Sequence, residues 1–244
     1  MSVDRNPNVR EILADLVIAN RILAEHGIVD AFGHVSVRHP ERPDRYFLSR
    51  SLAPELVTID DIVEFTLDSE PVDPDGRALY AERPIHGRIY AARPDVAAVC
   101  HNHAPATIPF GVTGAPLRPI FHMAAVIGTI IPVWDIATRF GDTNLLVTTN
   151  AMGDDLAAAL GPHRVALMRG HGSAVAGRTL RDAVFAAVYL QVNAQLLATA
   201  LGLGDVQYLS DGEIDAASTM LGQPLAQNRA WESWAARATQ RRVT

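Results

Sequence analysis

The segment from Glu82 to His103 limits what this chain can become more than any other stretch. It reads Glu82-Arg-Pro-Ile-His86, continues through Gly87 to Cys100, and ends His101-Asn102-His103. Val96–Cys100 is apolar and rich in β-formers, so the spacing predicts a buried strand with both histidines at its end. Side chains alternate along a strand, so positions i and i+2 share a face. His101 and His103 then stand side by side, with Glu82 delivered from the start of a helix just upstream. Arg169-Gly170-His171-Gly172 closes a second apolar run, Arg164–Met168. Glycines flanking that third histidine suit close backbone packing. Three imidazoles and one carboxylate make a ligand set for a catalytic divalent cation. Taken one at a time, the same residues also fit hydrogen-bonded core or surface histidines.

The rest of the chain narrows the chemistry. All 21 basic residues are arginine. Without a lysine there is no amine for a Schiff base or for attaching pyridoxal phosphate. A carbanion formed here therefore needs a metal or electrophilic side chains. The net charge of -6, with no basic cluster, argues against nucleic acid or an anionic membrane surface as partner. No apolar run is read as reaching the ~20 residues of a membrane span. The N-terminal MSVDRNPNVREIL lacks the apolar core of a signal peptide. The single cysteine, Cys100, excludes an intrachain disulfide and is read as a small core residue. A cytoplasmic protein is expected.

Apolar residues recur at helical spacing over Val9–His26. Phe32–Val37 reads as a turn entering a strand, with Tyr46–Ser49 as its hairpin partner and Ile62–Leu67 as a third strand. A helix over Arg83–Ala92, the strand Val96–His101 and a helix over Ala104–Val112 follow. Ile130–Val133 is expected as a strand and Trp134–Asn144 as an irregular loop. Then come a helix over Met152–Leu160, strands Val165–Met168 and Ser173–Ala176, and a long apolar helix over Leu180–Leu201. Amphipathic helices over Asp211–Leu221 and Leu225–Ala238 end the chain. Interleaved strands and helices, with no linker or repeat across 1–244, predict one α/β domain with C-terminal helices.

The run Glu82-x3-His86-x3-Tyr90-x2-Arg93-Pro94-Asp95-x3-Val99-x-His101-Asn102-His103, followed by Gly170-His171-Gly172, resembles the class II aldolase/adducin family. The likeness extends over about Val9 to Gly202. It implies a three-layer α/β/α fold with a mixed, largely antiparallel central sheet, and a homotetramer with sites between subunits. It also implies one divalent metal ion per subunit on His101, His103 and His171, with Glu82 as a fourth ligand or an adjacent base.

Relative to the sugar-phosphate aldolases of that family, several positions differ. The Gly-Asn-x-Ser turn is Gly33-His34-Val35-Ser36, the following loop is Leu48-Ser49-Arg50-Ser51, and Tyr80-Ala81 replaces a serine pair before Glu82. Hydroxyls suited to a phosphate are lost and an arginine is gained. A guanidinium clamps a planar carboxylate with two parallel bonds. His34, Ser49, Arg50 and Tyr80 thus become candidate substrate contacts, although each could equally be structural. Nineteen residues after His103 the aldolases carry a proton-donating tyrosine that reaches the neighbouring subunit. Here that position is His122, a candidate acid/base group. His26, His39, His86 and His163 are read as structural.

These departures resemble the family's decarboxylase branch, which acts on hydroxylated benzene or pyridine dicarboxylates. The expected activity is metal-dependent cleavage of a carbon–carbon bond, with zinc or manganese favoured and Fe2+ or Co2+ compatible with a nitrogen-rich set. Alternatives are an aldolase on a hydroxy-keto acid or sugar phosphate, a non-haem iron oxygenase, and an adducin-like module without catalysis.

Overall fold

A computed structural model describes residues 7–240. Residues 1–6 and 241–244, including the start of the stretch read for a signal peptide, lie outside the described residues. In chain order the elements are α1 (Pro7–Glu25), β1 (His34–Arg38), β2 (Arg45–Ser49), β3 (Ile62–Thr66), α2 (Pro84–Ala92), β4 (Ala98–Asn102) and α3 (Ile108–Val112). After them come β5 (Val133–Trp134), α4 (Ala137–Phe140), α5 (Asn150–Leu160), β6 (Val165–Met168), β7 (Gly172–Gly177), α6 (Leu180–Leu203), α7 (Asp211–Leu221) and α8 (Pro224–Gln240). A 3-10 stretch covers His122–Ile127.

The strands form one seven-stranded sheet in the order β3-β2-β1-β4-β7-β6-β5. Every neighbouring pair is antiparallel except β5 with β6. Alternation along the strands builds two apolar layers. Val35, Val37, Phe47, Ala98, Cys100, Val165, Leu167 and Val175 face the layer of α1 and α6, on which α8 packs. Tyr46, Leu48, Val99, Ala166, Met168, Ala174 and Ala176 face α2 and α5. The result is the three-layer α/β/α arrangement with a mixed, largely antiparallel sheet. Cys100 lies in the core, where burial pushes its thiol up to about 12.

Local departures from the sequence reading have physical causes. The third helix begins at Ile108 rather than Ala104, because Pro109 fits only the first helical turn. Thr107 closes the preceding turn by donating from Oγ1 to the Ala104 carbonyl at 2.8 Å. The expected strand at Ile130–Val133 forms at Val133–Trp134, where it pairs with Leu167 and Met168. The presumed loop after it contains α4. The expectation that no apolar run reaches membrane-spanning length is corrected by α6, whose 24 residues are long and apolar enough by composition. Just over half of its apolar window is buried inside the fold, where it packs on β4, β7, α1 and α8. A core helix and a membrane span share this composition, and here burial against the sheet accounts for it.

Candidate active site

The cluster forms where β4 ends and β7 begins. His101 is the fourth residue of β4, and His103 lies one residue past its end. His171 sits in the turn between β6 and β7. Gly172 makes that arrangement sterically feasible: a Cβ there would stand 2.1 Å from the Asn102 carbonyl oxygen and 3.1 Å from the His103 ring. Glu82 is on the turn leading into α2 and is 8% exposed. Its Oε1 accepts from the Val147 N–H at 2.9 Å, while Oε2 lies 3.5 Å from both His101 Nε2 and His171 Nε2.

One ligand atom from each of Glu82, His101, His103 and His171 fits within a set spanning 4.8 Å. His101 Nε2 and His103 Nε2 are 3.1 Å apart. Ligand atoms sharing a cation at 2.0–2.1 Å stand roughly 3.3–3.4 Å apart, close to the 3.1 and 3.5 Å separations of the His101–His103, Glu82–His101 and Glu82–His171 pairs. His101 Nδ1 donates to the Ser173 carbonyl at 3.1 Å, which leaves the Nε2 lone pair directed into the cluster. Both ring nitrogens of His171 are buried without a hydrogen-bond partner. Such orphaned groups are costly unless something else satisfies them. The residues present therefore fit a divalent cation.

At His103 and Glu82 the electrostatics agree with ligation by a neutral imidazole and a carboxylate. Burial, helped by the neighbouring His101 and His171 rings, pushes His103 down to about 4. Burial raises the Glu82 carboxyl, but the His101 and His171 imidazoles outweigh it and hold the group well below the usual carboxylate range.

Next to the cluster is a second group of expected residues. In the β1–β4 ladder His34 is the Cα partner of His101, and their rings are 5.1 Å apart. The Tyr80 ring lies 4.5 Å from His34, and Ser49 Oγ is 3.5 Å from Tyr80 Oη. Tyr80 also donates to the Leu52 carbonyl. Arg50 directly follows β2, its backbone N–H donates to the Asp61 carbonyl at 2.8 Å, and its charge acts on the Tyr80 hydroxyl. Arg50 Nε donates to Asp61 Oδ1 at 2.7 Å, leaving the terminal nitrogens of the guanidinium for another anion.

His122 opens the 3-10 stretch and is exposed, edge-on to Phe121. Within the chain no described contact joins it to the cluster. His39 caps its own turn by accepting from the Glu41 and Arg42 N–H groups. A separate cavity of about 620 Å³ lies at the opposite end of β7, lined by Arg93, His163, Arg164, Arg178 and Asp182, with no cluster residue among its walls.

Sequence reasoning set His86 aside as structural, yet it is fully buried and touches the site. His34 Nδ1 is 2.6 Å from His86 Nε2, His86 Nδ1 is 2.6 Å from Ser36 Oγ, and Ser36 Oγ is 2.8 Å from Tyr90 Oη. The available signal was the spacing His86-x3-Tyr90, which aligns two polar groups along one face of the expected helix.

The comparisons with known proteins converge. The class II aldolase and adducin N-terminal domain matches residues 14–198. A decarboxylase of Talaromyces stipitatus, tropJ, is 35% identical over 237 residues, covering 87% of this chain and 88% of the relative. The 3,4-dihydroxyphthalate decarboxylase of Terrabacter sp. is 27% identical over 237 residues, covering 93% and 96%. The crystal structure of an aldolase II superfamily protein from Pseudomonas syringae superposes with a TM-score of 0.80 at 21% identity, covering 97% of this chain and 95% of that one. With the domain match spanning most of its length and a ligand cluster of the expected composition at the strand ends, the chain belongs to the class II aldolase and adducin N-terminal domain family.

Proposed function

We propose that this chain is a metal-dependent carbon–carbon lyase that decarboxylates a hydroxylated aromatic acid bearing two carboxylates. One observation carries the reading. The wall beside the ligand cluster is built from the His34 ring, the Tyr80 ring, Ser49 and Arg50, a set suited to a flat anion. The two decarboxylases among the relatives support the same branch.

His101, His103, His171 and Glu82 would hold the cation, and zinc or manganese would supply Lewis acidity at the substrate's hydroxyl and adjacent carboxylate. Arg50, anchored through Nε by Asp61, binds the second carboxylate. Tyr80 and His34 line the ring face. Decarboxylation breaks the bond between ring carbon and carboxylate. The electron pair stays with the ring carbon, carbon dioxide leaves, and one proton replaces it. His122 supplies that proton across a subunit boundary in a homo-oligomer, with a tetramer as the proposed state, a role its exposure on its own subunit supports. Exposed Leu196, Leu201 and Leu203 on α6 are consistent with such association. A single buried cysteine suits a reducing, cytoplasmic setting.

The test uses protein purified without chelator and reconstituted with zinc or manganese. A panel of hydroxyaromatic dicarboxylates and hydroxy-keto acids is assayed for carbon dioxide and for pyruvate or aldehyde. Carbon dioxide from an ortho-hydroxy aromatic acid is expected. Pyruvate or aldehyde release without carbon dioxide assigns the chain to aldol cleavage. Less than about a tenth of an equivalent of metal, with no gain on reconstitution, would instead favour an adducin-like binding module.

A further inference from the structure

Between β1 and α2 lies a chain of four buried polar groups whose hydrogen bonds can be counted to an end. His34 and Ser36 are two apart on a strand, spanning roughly 6.6 Å, and His86 and Tyr90 are four apart on a helix, spanning about 6 Å. The matched spacings let the strand pair meet the helix pair in register, alternating as His34, His86, Ser36, Tyr90. His34 is 3% exposed, and Ser36 and His86 are fully buried. Among the described residues no carboxylate is hydrogen-bonded to any of the four, so each link carries one proton.

Tyr90 fixes the polarity. Its hydroxyl oxygen takes the Val99 backbone N–H, which leaves its own proton for Ser36 Oγ, its side-chain partner. Tyr90 therefore donates to Ser36, and Ser36 sends its single proton on to His86 Nδ1. His86 then carries its proton on Nε2 and donates to His34 Nδ1. His34 must carry its own proton on Nε2. That nitrogen makes no hydrogen bond among the described residues, although its ring is packed against Tyr80 and the metal-ligand candidate His101. An N–H with no hydrogen bond among the described residues, beside a candidate ligand cluster, is a site open to an acceptor.

The geometry points to Tyr90, Ser36 and His86 as positioning residues that lock His34 as an Nε2–H donor toward a substrate oxygen. His34 thus selects for an anionic oxygen beside the cation, as on an aromatic carboxylate, and does not serve as a base. For its ligand class this rests on the proposed function; the tautomer assignment does not.

The test is NMR on zinc-loaded protein with 15N-labelled histidine, with signals assigned by His34→Asn and His86→Gln. Both rings are expected as Nε2–H tautomers. Phthalate, which lacks the hydroxyl needed to react, is the ligand probe and should shift the His34 Nε2–H resonance. Ser36→Ala should leave zinc content unchanged, move His86 and His34 toward Nδ1–H, and weaken phthalate binding by about tenfold or more, the loss of one hydrogen bond to a charged acceptor. Tyr90→Phe serves as the milder variant if Ser36→Ala does not fold, and should give mixed tautomers. Nδ1–H on His34 in the unmodified protein, or unchanged tautomers in both variants, overturns the assignment. The expected tautomers without any phthalate response leave the lock standing and count against an aromatic carboxylate as substrate.

Discussion

His34 and His101 are partners across antiparallel strands, with rings 5.1 Å apart. One belongs to the candidate ligand cluster, and the other to the wall that lines the proposed pocket. Because they occupy one rung of a sheet buried on both faces, their separation is set by strand spacing rather than by loop conformation. A group bound against His34 is held one strand away from the cation position. The rigidity that fixes this distance comes from the core layers above and below, where neither β1 nor β4 can slide without turning apolar side chains to the wrong face.

Gly172 is the tightest point of that frame. An added Cβ would stand 2.1 Å from the Asn102 carbonyl oxygen, which is backbone and cannot rotate away. Gly172→Ala should push β4 and β7 apart, cost about 1–3 kcal/mol or more in urea unfolding of the metal-free protein, and reduce bound metal. Gly202→Ala is the control. It lies in open space within α6 and should be neutral or stabilising by up to about 1 kcal/mol. Equal stability of Gly172→Ala and the parent protein would contradict the packing described.

Buried neutral histidines make the metal-free protein sensitive to mild acid. Burial holds His86 down to about 3 and His103 down to about 4, and lowers His34 well below 6.5. The unfolded chain therefore takes up protons first as pH falls below 6.5. Stability is then lost progressively toward pH 4, with an uptake of roughly two to three protons on unfolding. Glu82, depressed in the folded state, adds a loss in the same direction below its ordinary range near 4.5. Urea unfolding of metal-free protein at a series of pH values from 7.5 to 4.5 should show a steady decline. A flat profile would mean that these rings are not buried as neutral groups.

Arg50 separates substrate binding from metal retention. Arg50→Ala should raise the Michaelis constant for an aromatic dicarboxylate by about 10- to 100-fold, the scale of one charge-assisted contact, and leave metal content unchanged. Arg50→Lys should not restore binding, because an ammonium cannot use Nε to hold Asp61 while offering a planar pair of donors. Unaltered Michaelis behaviour in Arg50→Ala would remove this residue from the site.

The grouping of Glu82, His101, His103 and His171 was legible in the sequence through local spacing together with the family resemblance. Period-two spacing places His101 and His103 together, and Gly172 beside His171 marks a close crossing of strands. The sheet's order was not legible, and with it went the role of His86. Its partners His34 and Ser36 lie 52 and 50 residues away and meet it only through tertiary packing. Spacing alone also did not reveal that Asp61 already holds one side of Arg50, since that contact depends on the pairing of β2 with β3. The start of the helix at Ile108, expected at Ala104, was misplaced for a different reason. Its start is governed by where Pro109 is tolerated, which apolar periodicity does not register.

His122 offers the sharpest test of the assembly. Its ring is exposed and touches no cluster residue within its own chain, so a catalytic role requires a neighbouring subunit. His171→Ala removes one of the candidate metal ligands and should abolish both metal retention and activity. His122→Ala should keep its metal but lose most activity. Each variant alone is then nearly inactive. In a mixed oligomer, however, a site can combine the intact cluster of a His122→Ala subunit with the intact His122 of a His171→Ala subunit. Random mixing in equal amounts, after dissociation and reassembly, should restore about a quarter of the sites, the product of two one-half probabilities in a symmetric assembly. Recovery of that order, with bound metal at about half an equivalent per chain, places His122 at its neighbour's reaction centre. No recovery from two correctly assembled inactive variants would confine His122 to a structural role and send the search for the proton donor back to groups within one subunit.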